Sequence, residues 1–332
     1  MISENSKNVI RENVMALYPE FLLEPRRTLP NLTLCLNSSG KTLDRRFFLP
    51  LANAVQFHGV RNIALMGENP PAHPDFAIAL RPLFGKGENL SLWIKPGQSS
   101  PCAGLIAHEV NEIIFRLGPY SGPEEIWMAE LSALQSEVCM LRKERPHLIV
   151  KGVLHLSSAI IKALEDAIHR VEDALFDRLE FFPPNFYLSP GSEPATSPLS
   201  PDLIPSHEEL MRYEKNFWEM LDEPCFQSRL FDLDMTRRQL ERVLLFFKAA
   251  SGHGAFEPPH CRASRTSFYI EPTGHVRCCP WQEAFGDLRE MSLREIEESE
   301  RVHVFRSKIN LAIDRICPLC PGDFPHYLWR SH

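Results

Sequence analysis

The chain has 332 residues, 44% of them hydrophobic and 24% charged, enough for a sizeable core and, at about 100–200 residues per domain, for two units. A formal net charge of -7 gives no general basic field and excludes nucleic acid as a principal partner. The first residues, MISENSKNVIRENVM, lack a secretory apolar core, and no stretch reaches the ~18 consecutive apolar residues of a membrane span, so a cytoplasmic protein with no membrane contact is expected.

Residues 1–30 read as an N-terminal extension. From 31 to 188, short apolar runs alternate with amphipathic patterns. The expected strands are Leu32–Leu36, Asn62–Leu65, Leu90–Ile94, Glu112–Leu117, Leu148–Leu154 and Arg178–Phe182. Between them, Arg46–His58, Ser121–Arg142 and Ser157–Leu175 repeat apolar residues at spacings of three and four, as one face of a helix does. This alternation predicts an α/β fold with a parallel sheet, either open and doubly wound or closed into a full or partial barrel; the pattern alone does not choose. Residues 189–206, SPGSEPATSPLSPDLIPS, are rich in proline and serine and read as a linker. Helical patterns at Glu208–Leu221 and Thr236–Ala250 make 207–252 a helical bridge, and 253–332 is expected to be a small metal-binding domain.

The chain has nine cysteines, and five of them fall between residues 261 and 320. In a chain without a secretion signal such clustering points to a metal site rather than to disulfides. Cys317-Pro-Leu-Cys320 has the spacing of a metal knuckle. Upstream, Phe268–Ile270 and His275–Val276 fit the arms of a hairpin around Glu271-Pro-Thr-Gly274. Gly274 can take the positive φ that folds Cys279 back toward Cys261. Side chains alternate along a strand, so Cys278 and Cys279 face opposite ways and Cys278 is the expected surplus. Four thiolates suit a tetrahedral zinc or a 4Fe–4S cluster; the plainer alternative is a group of buried thiols. The isolated Cys35, Cys102, Cys139 and Cys225 read as small core residues.

The spacing C-x12-G-x4-C from Cys261 to Cys279, the segment FGDLREMSLREIEES and the closing C-x2-C make residues 257–321 resemble the SPASM domain, the C-terminal extension of many radical SAM enzymes that holds auxiliary iron–sulfur clusters. The resemblance implies one 4Fe–4S cluster on Cys261, Cys279, Cys317 and Cys320, with zinc as the alternative. Larger SPASM domains continue with further cysteines and a second cluster; here His326 follows the knuckle instead, which supports one cluster only.

The same resemblance implies that 31–188 is a radical SAM-like partial (β/α)6 barrel. HGVRNIALMGENPPAHPDF looks like that family's second strand and the turn after it. Gly67, Glu68, Asn69 and Pro70 then stand at the Gly-Gly-Glu-Pro motif that contacts the amino group of S-adenosylmethionine, and His73-Pro74-Asp75-Phe76 continues the likeness. After its first strand the family carries C-x3-C-x2-C, the ligands of the radical-initiating cluster. This chain reads LTLCLNSSGKTLDRR there. Anchored on Asn37, the three positions fall on Leu36, Gly40 and Leu43, and no C-x3-C-x2-C occurs elsewhere. The Gly67–Pro70 turn is therefore expected to be vestigial, and whether S-adenosylmethionine still binds is left open.

No replacement constellation stands out, and no catalytic residue is assigned. His108, His155 and His169 lie on strand or helix patterns where a structural histidine is the commoner case, although His155 can face a barrel interior. Glu68 either lines the old cofactor pocket or caps its loop, and the run LREIEESE reads as a solvated face. The expectation is a pseudoenzyme with a radical SAM/SPASM-like fold: a binding or electron-transfer subunit of a peptide- or metabolite-modifying system, its partner an active radical SAM enzyme, a peptide, or both. Two alternatives remain: a SAM-dependent peptide-modifying enzyme whose cluster site is non-standard or partner-supplied, and a zinc-stabilised scaffold.

Overall fold

In the computed structural model, the residues described are 31–78, 89–99, 103–118, 124–162, 176–188, 195–222, 237–258, 261–311 and 313–322. The N-terminal extension, Cys102, His169, Cys225, His326 and the helical pattern beyond 162 lie outside them. The strands are β1 (Asn31–Ser38), β2 (Lys41–Thr42), β3 (Asn62–Gly67), β4 (Asn89–Ile94), β5 (Glu112–Leu117), β6 (Ile149–His155), β7 (Arg178–Phe182), β8 (Ser267–Ile270), β9 (His275–Arg277) and β10 (Gly286–Asp287). The helices are α1 (Phe48–His58), α2 (Ala103–Glu109), α3 (Glu124–Glu144), α4 (Ser158–Lys162), α5 (His207–Asp222), α6 (Arg237–Ala250), α7 (Ala263–Thr266), α8 (Leu293–Glu297) and α9 (Glu300–Lys308).

All strands join one sheet in the order β10-β9-β8-β1-β3-β4-β5-β6-β7, with β2 paired to β1. From β1 to β7 the main strands run parallel and follow one another across the sheet in chain order. A doubly wound sheet would reverse its order part-way, so this is barrel winding, left open. Its free first edge is taken by β8, parallel to β1 from Asn31↔Ser267 to Leu34↔Ile270. The cysteine-bearing segment is thus built onto the barrel's own sheet. β9 and β10 extend it antiparallel.

Alternation along the strands separates two apolar faces. Leu32, Leu34, Ile63, Leu65, Leu92, Phe115 and Leu154 point to the main core under the helices, all fully buried. The opposite positions, Cys35, Ala64, Met66, Trp93, Ile114, Val153, Phe182 and Tyr269, form a second cluster inside the curved sheet. The inner face also carries the pair Lys151–Glu112 at 2.8 Å. A change such as Leu34→Ala in the main core costs about 2–5 kcal/mol.

α1 ends at Gly59, whose φ of 62° turns the chain so that the Val60 amide returns to the Val55 carbonyl at 3.0 Å and β3 begins two residues later. The described part of the proline-rich run, 195–206, is tied to the body: the Ala195 amide donates to the Tyr187 carbonyl, the Leu199 amide to the Phe186 carbonyl, and Leu203 enters the core. The acidic run at α8 is not simply a solvated face. Ser292 and Glu295 cap the helix reciprocally, and Leu293 and Ile296 are buried while Arg294, Glu295 and Glu298 stay in solvent. Two apolar residues three apart suffice to seat one helical turn. No helix among the described residues is long and apolar enough to cross a membrane.

Candidate metal centre

Three chain segments bring the five C-terminal cysteines together. Cys261 precedes α7, and its sulfur accepts the Ala263 amide at 3.4 Å. The hairpin turns at Gly274, φ 92°, and delivers Cys278 and Cys279. The knuckle Cys317–Cys320 is a single 3-10 turn closed by the Cys320 amide on the Cys317 carbonyl at 3.2 Å. Asp314 sets that turn: one carboxylate oxygen accepts the amides of Ile316 at 2.8 Å and Cys317 at 2.9 Å, and the Gln282 carboxamide at 3.2 Å. Gln282 also reaches the Cys317 sulfur at 3.8 Å.

Cys261, Cys279, Cys317 and Cys320 are half-buried, whereas Cys278 is 1% exposed and belongs to the main core. All are free thiols; Cys278 is near enough to act on Cys261, Cys279 and Cys317, and Cys320 on Cys317. Burial, and then the neighbouring Cys279, push the Cys261 thiol up to about 11, against the pull of amides from Ala263 and Ser264 and of Arg242. Burial, then Asp314, raise Cys317 as well. Cys279 goes the other way: a hydrogen bond from the Cys278 thiol, helped by the Trp281 and Gln282 amides, holds it below the ordinary thiol range. Among the described residues, no three Cys, His, Asp or Glu side chains close on a common point.

The donor set nevertheless suits a thiolate-bound group. Cys261 and Cys279 each receive amide N–H groups from the residues two and three further on, which stabilises the ionised sulfur that iron or zinc requires. A second feature points the same way. Arg242 of α6 is 9% exposed and donates to the carbonyls of Cys320 at 2.7 Å and Pro321 at 3.1 Å, while its Nε is buried without an acceptor. The sequence analysis singled out neither residue: Asp314 carries a local signal, an acidic residue three before the cysteine whose amide it caps, whereas Arg242, 78 residues from Cys320, carries none.

At the carboxyl edge of the sheet the loop after β1 is a tight hairpin. Asn37 pairs with Thr42 and Ser38 with Lys41, across a two-residue turn in which Ser39 (φ 51°) and Gly40 (φ 73°) both take positive φ. The Leu43 amide returns to the Leu36 carbonyl at 2.8 Å, and both leucines are buried in the main core at 1% exposure or less. The hairpin is fastened to the turn at Gly67–Pro70. The Asn37 carboxamide donates to the Asn69 carbonyl and accepts the Asn69 amide at 3.1 Å, and the Glu68 amide bonds the Asn37 carbonyl at 3.0 Å. The Glu68 carboxylate accepts the Ser39 amide at 2.7 Å, so it caps the hairpin, and Gln98 donates to the Glu68 carbonyl at 2.7 Å. Gly67 allows this approach, since a Cβ there would stand 2.3 Å from Asn37 Oδ1 and 2.6 Å from its carbonyl oxygen. His73 closes the loop from the other side, its Nε2 2.8 Å from the Leu43 carbonyl oxygen.

Cys35 is 3% exposed on the inner face, its thiol 3.7 Å from the Asn37 carbonyl oxygen, and burial pushes it up to about 11. His155 is buried at the carboxyl end of β6, paired in register with Phe182 on the same inner face.

Residues 261–321 match the family model of SPASM, an iron-sulfur cluster-binding domain. No curated protein matches the chain. Among solved structures, native anSMEcpe with bound AdoMet superposes with a TM-score of 0.57 at 15% identity, covering 88% of each chain. The same enzyme with AdoMet and the Cp18Cys peptide gives 0.55 at 16% identity, again over 88% of each. Streptococcus suis SuiB bound to its precursor peptide SuiA gives 0.56 at 9% identity, covering 97% of this chain and 77% of that one. The chain therefore has the parallel α/β fold of the radical SAM enzymes, with a SPASM domain at its C-terminus.

Proposed function

We propose that this chain is a radical SAM-like protein that keeps an auxiliary metal centre, has lost the radical-initiating one, and serves as a binding or electron-transfer subunit beside an active peptide-modifying enzyme. The observation that carries the reading is the hairpin after β1. A radical-initiating cluster needs three thiolates in that loop; here the corresponding positions are two leucines packed in the core and a turn glycine. Cys35 offers one buried thiol, which is not a ligand set. Glu68 and Asn69, at the place where S-adenosylmethionine would be met, are engaged with Ser39 and Asn37. The Gly67–Pro70 turn then acts as a fastening for the hairpin.

At the other end, Cys261, Cys279, Cys317 and Cys320 would hold the group, with Cys278 as a core residue. A 4Fe–4S cluster bound there supplies one-electron chemistry; the chain's own residues orient the knuckle through Asp314 and donate N–H groups to the sulfurs. A peptide is favoured over a metabolite as the client because the anSMEcpe and SuiB structures hold peptides. Equilibrium binding of S-adenosylmethionine to anaerobically prepared protein, followed by assay for 5′-deoxyadenosine with dithionite as reductant, tests the reading. No cleavage is expected from the isolated chain; cleavage would return it to the radical enzymes. The zinc scaffold is a second reading, favoured by the same donor set, and one zinc per chain without iron or sulfide would establish it.

A further inference from the structure

We infer that Arg242 is the built-in counter-cation of the four-thiolate site, a positioning residue on α6 that holds the Cys317–Cys320 knuckle and stabilises the negative charge gathered there. The inference rests on the metal-centre reading above. Three observations carry it. The guanidinium is buried, and its acceptors are neutral backbone carbonyls: Cys320 at 2.7 Å, Pro321 at 3.1 Å and Glu257 at 3.5 Å. Its Nε has no acceptor, and among the described residues no carboxylate lies within ion-pair reach. The 2.7 Å bond to the Cys320 carbonyl seats this cation against the backbone of the knuckle itself.

An arginine stays charged under all ordinary conditions, and a buried charge without a counter-charge is costly. If the role were only to clamp two carbonyls, a neutral donor would serve equally and spare that cost. Four thiolates outweigh the charge of either a zinc ion or an iron–sulfur core, so the loaded site is anionic. It becomes more so when a cluster takes up an electron. A fixed cation in a low-dielectric surround therefore tightens metal binding and raises the reduction potential. The guanidinium carbon also lies over the Phe246 ring, 6.0 Å from its centroid, a cation–π contact that favours the charged form at this place.

The test uses the full chain prepared anaerobically as wild type, Arg242→Gln and Arg242→Lys, with folding checked by circular dichroism and metal content measured first. If the centre is iron–sulfur, dithionite titration followed by electron paramagnetic resonance reads the one-electron midpoint. Arg242→Gln is expected to lower the reduction equilibrium constant about tenfold, about 59 mV for one electron, while Arg242→Lys stays near the wild type. If the centre is zinc, chelator competition should show binding about tenfold weaker in Arg242→Gln and little changed in Arg242→Lys. Where Arg242→Gln does not fold, Arg242→Met takes its place as the neutral variant. Neutral and charged variants with the same midpoint or affinity overturn the counter-cation role and leave the metal centre standing. A wild-type chain that takes up neither metal overturns the metal-centre reading, and this inference with it.

Discussion

The mouth of the sheet and the C-terminal thiol group are both places where chain segments distant in sequence bring polar atoms together, yet they resolve their polarity in opposite ways. At the mouth, the groups answer one another: Asn37 with Asn69, Ser39 with Glu68, Gln98 with the Glu68 carbonyl, His73 with the Leu43 carbonyl. Around the thiols the balance is incomplete. N–H groups converge on Cys261 and Cys279, and a buried guanidinium finds only carbonyls. A region whose hydrogen bonds close internally is finished as a piece of structure. One that concentrates positive partial charge beside sulfur is arranged for an anionic group.

The largest effect expected from breaking this contrast is at the knuckle. Cys317→Ser or Cys320→Ser should empty the centre and remove from the C-terminal module a metal contribution on the order of 10 kcal/mol of apparent binding free energy, read as lost metal and a lower urea midpoint. Cys139→Ser, away from the cluster, should keep both; identical behaviour of all three would dissolve the distinction between the regions. Next is Gly67→Ala. Its Cβ would meet Asn37 backbone at 2.6 Å, which no side-chain rotation relieves, so a loss of about 3 kcal/mol is expected by denaturant titration. Metal content should be unchanged, which separates the mouth from the thiols.

Asn37→Ala removes the carboxamide's two bonds to Asn69 and should cost about 2 kcal/mol. A neutral result would mean that the hairpin is not fastened to the Gly67 turn. The smallest effect concerns pH. A hydrogen bond from the Arg289 guanidinium, with its amide and His275 adding, draws the Asp287 carboxyl from 3.8 down to about 2, against partial burial. A carboxyl held below its unfolded value stabilises fully above about pH 4 and loses that contribution as pH falls toward 2. With solvent screening of the exposed arginine the effect is about 1 kcal/mol. The stability gap between wild type and Asp287→Asn should therefore narrow as acid is added; a gap constant over that range would contradict it.

Much of the sheet was legible because buried parallel strands are short apolar runs: Glu112–Leu117 and Arg178–Phe182 form over the very residues expected. The hairpin around Gly274 was equally plain, since a turn glycine sits between two alternating arms. Barrel winding was not legible from pattern, because strand order is a property of pairing; it emerged from the register of β1 through β7. Nor was the pairing of β8 with β1 visible across more than 230 residues. Ser39-Gly40 carries a turn signal that the missing cysteines overshadowed, and the charges around Leu293 and Ile296 concealed a buried helical face. Arg242 gives no local sign at all, because its meaning depends on what lies opposite α6.

The most direct test of the proposed metal centre is iron and acid-labile sulfide per chain after anaerobic reconstitution, compared between the wild type and a variant with Cys261, Cys279, Cys317 and Cys320 all changed to serine. The account predicts about four irons and four sulfides in the wild type and neither in the variant. A variant that retained its cluster would place the iron elsewhere in the chain and contradict the account.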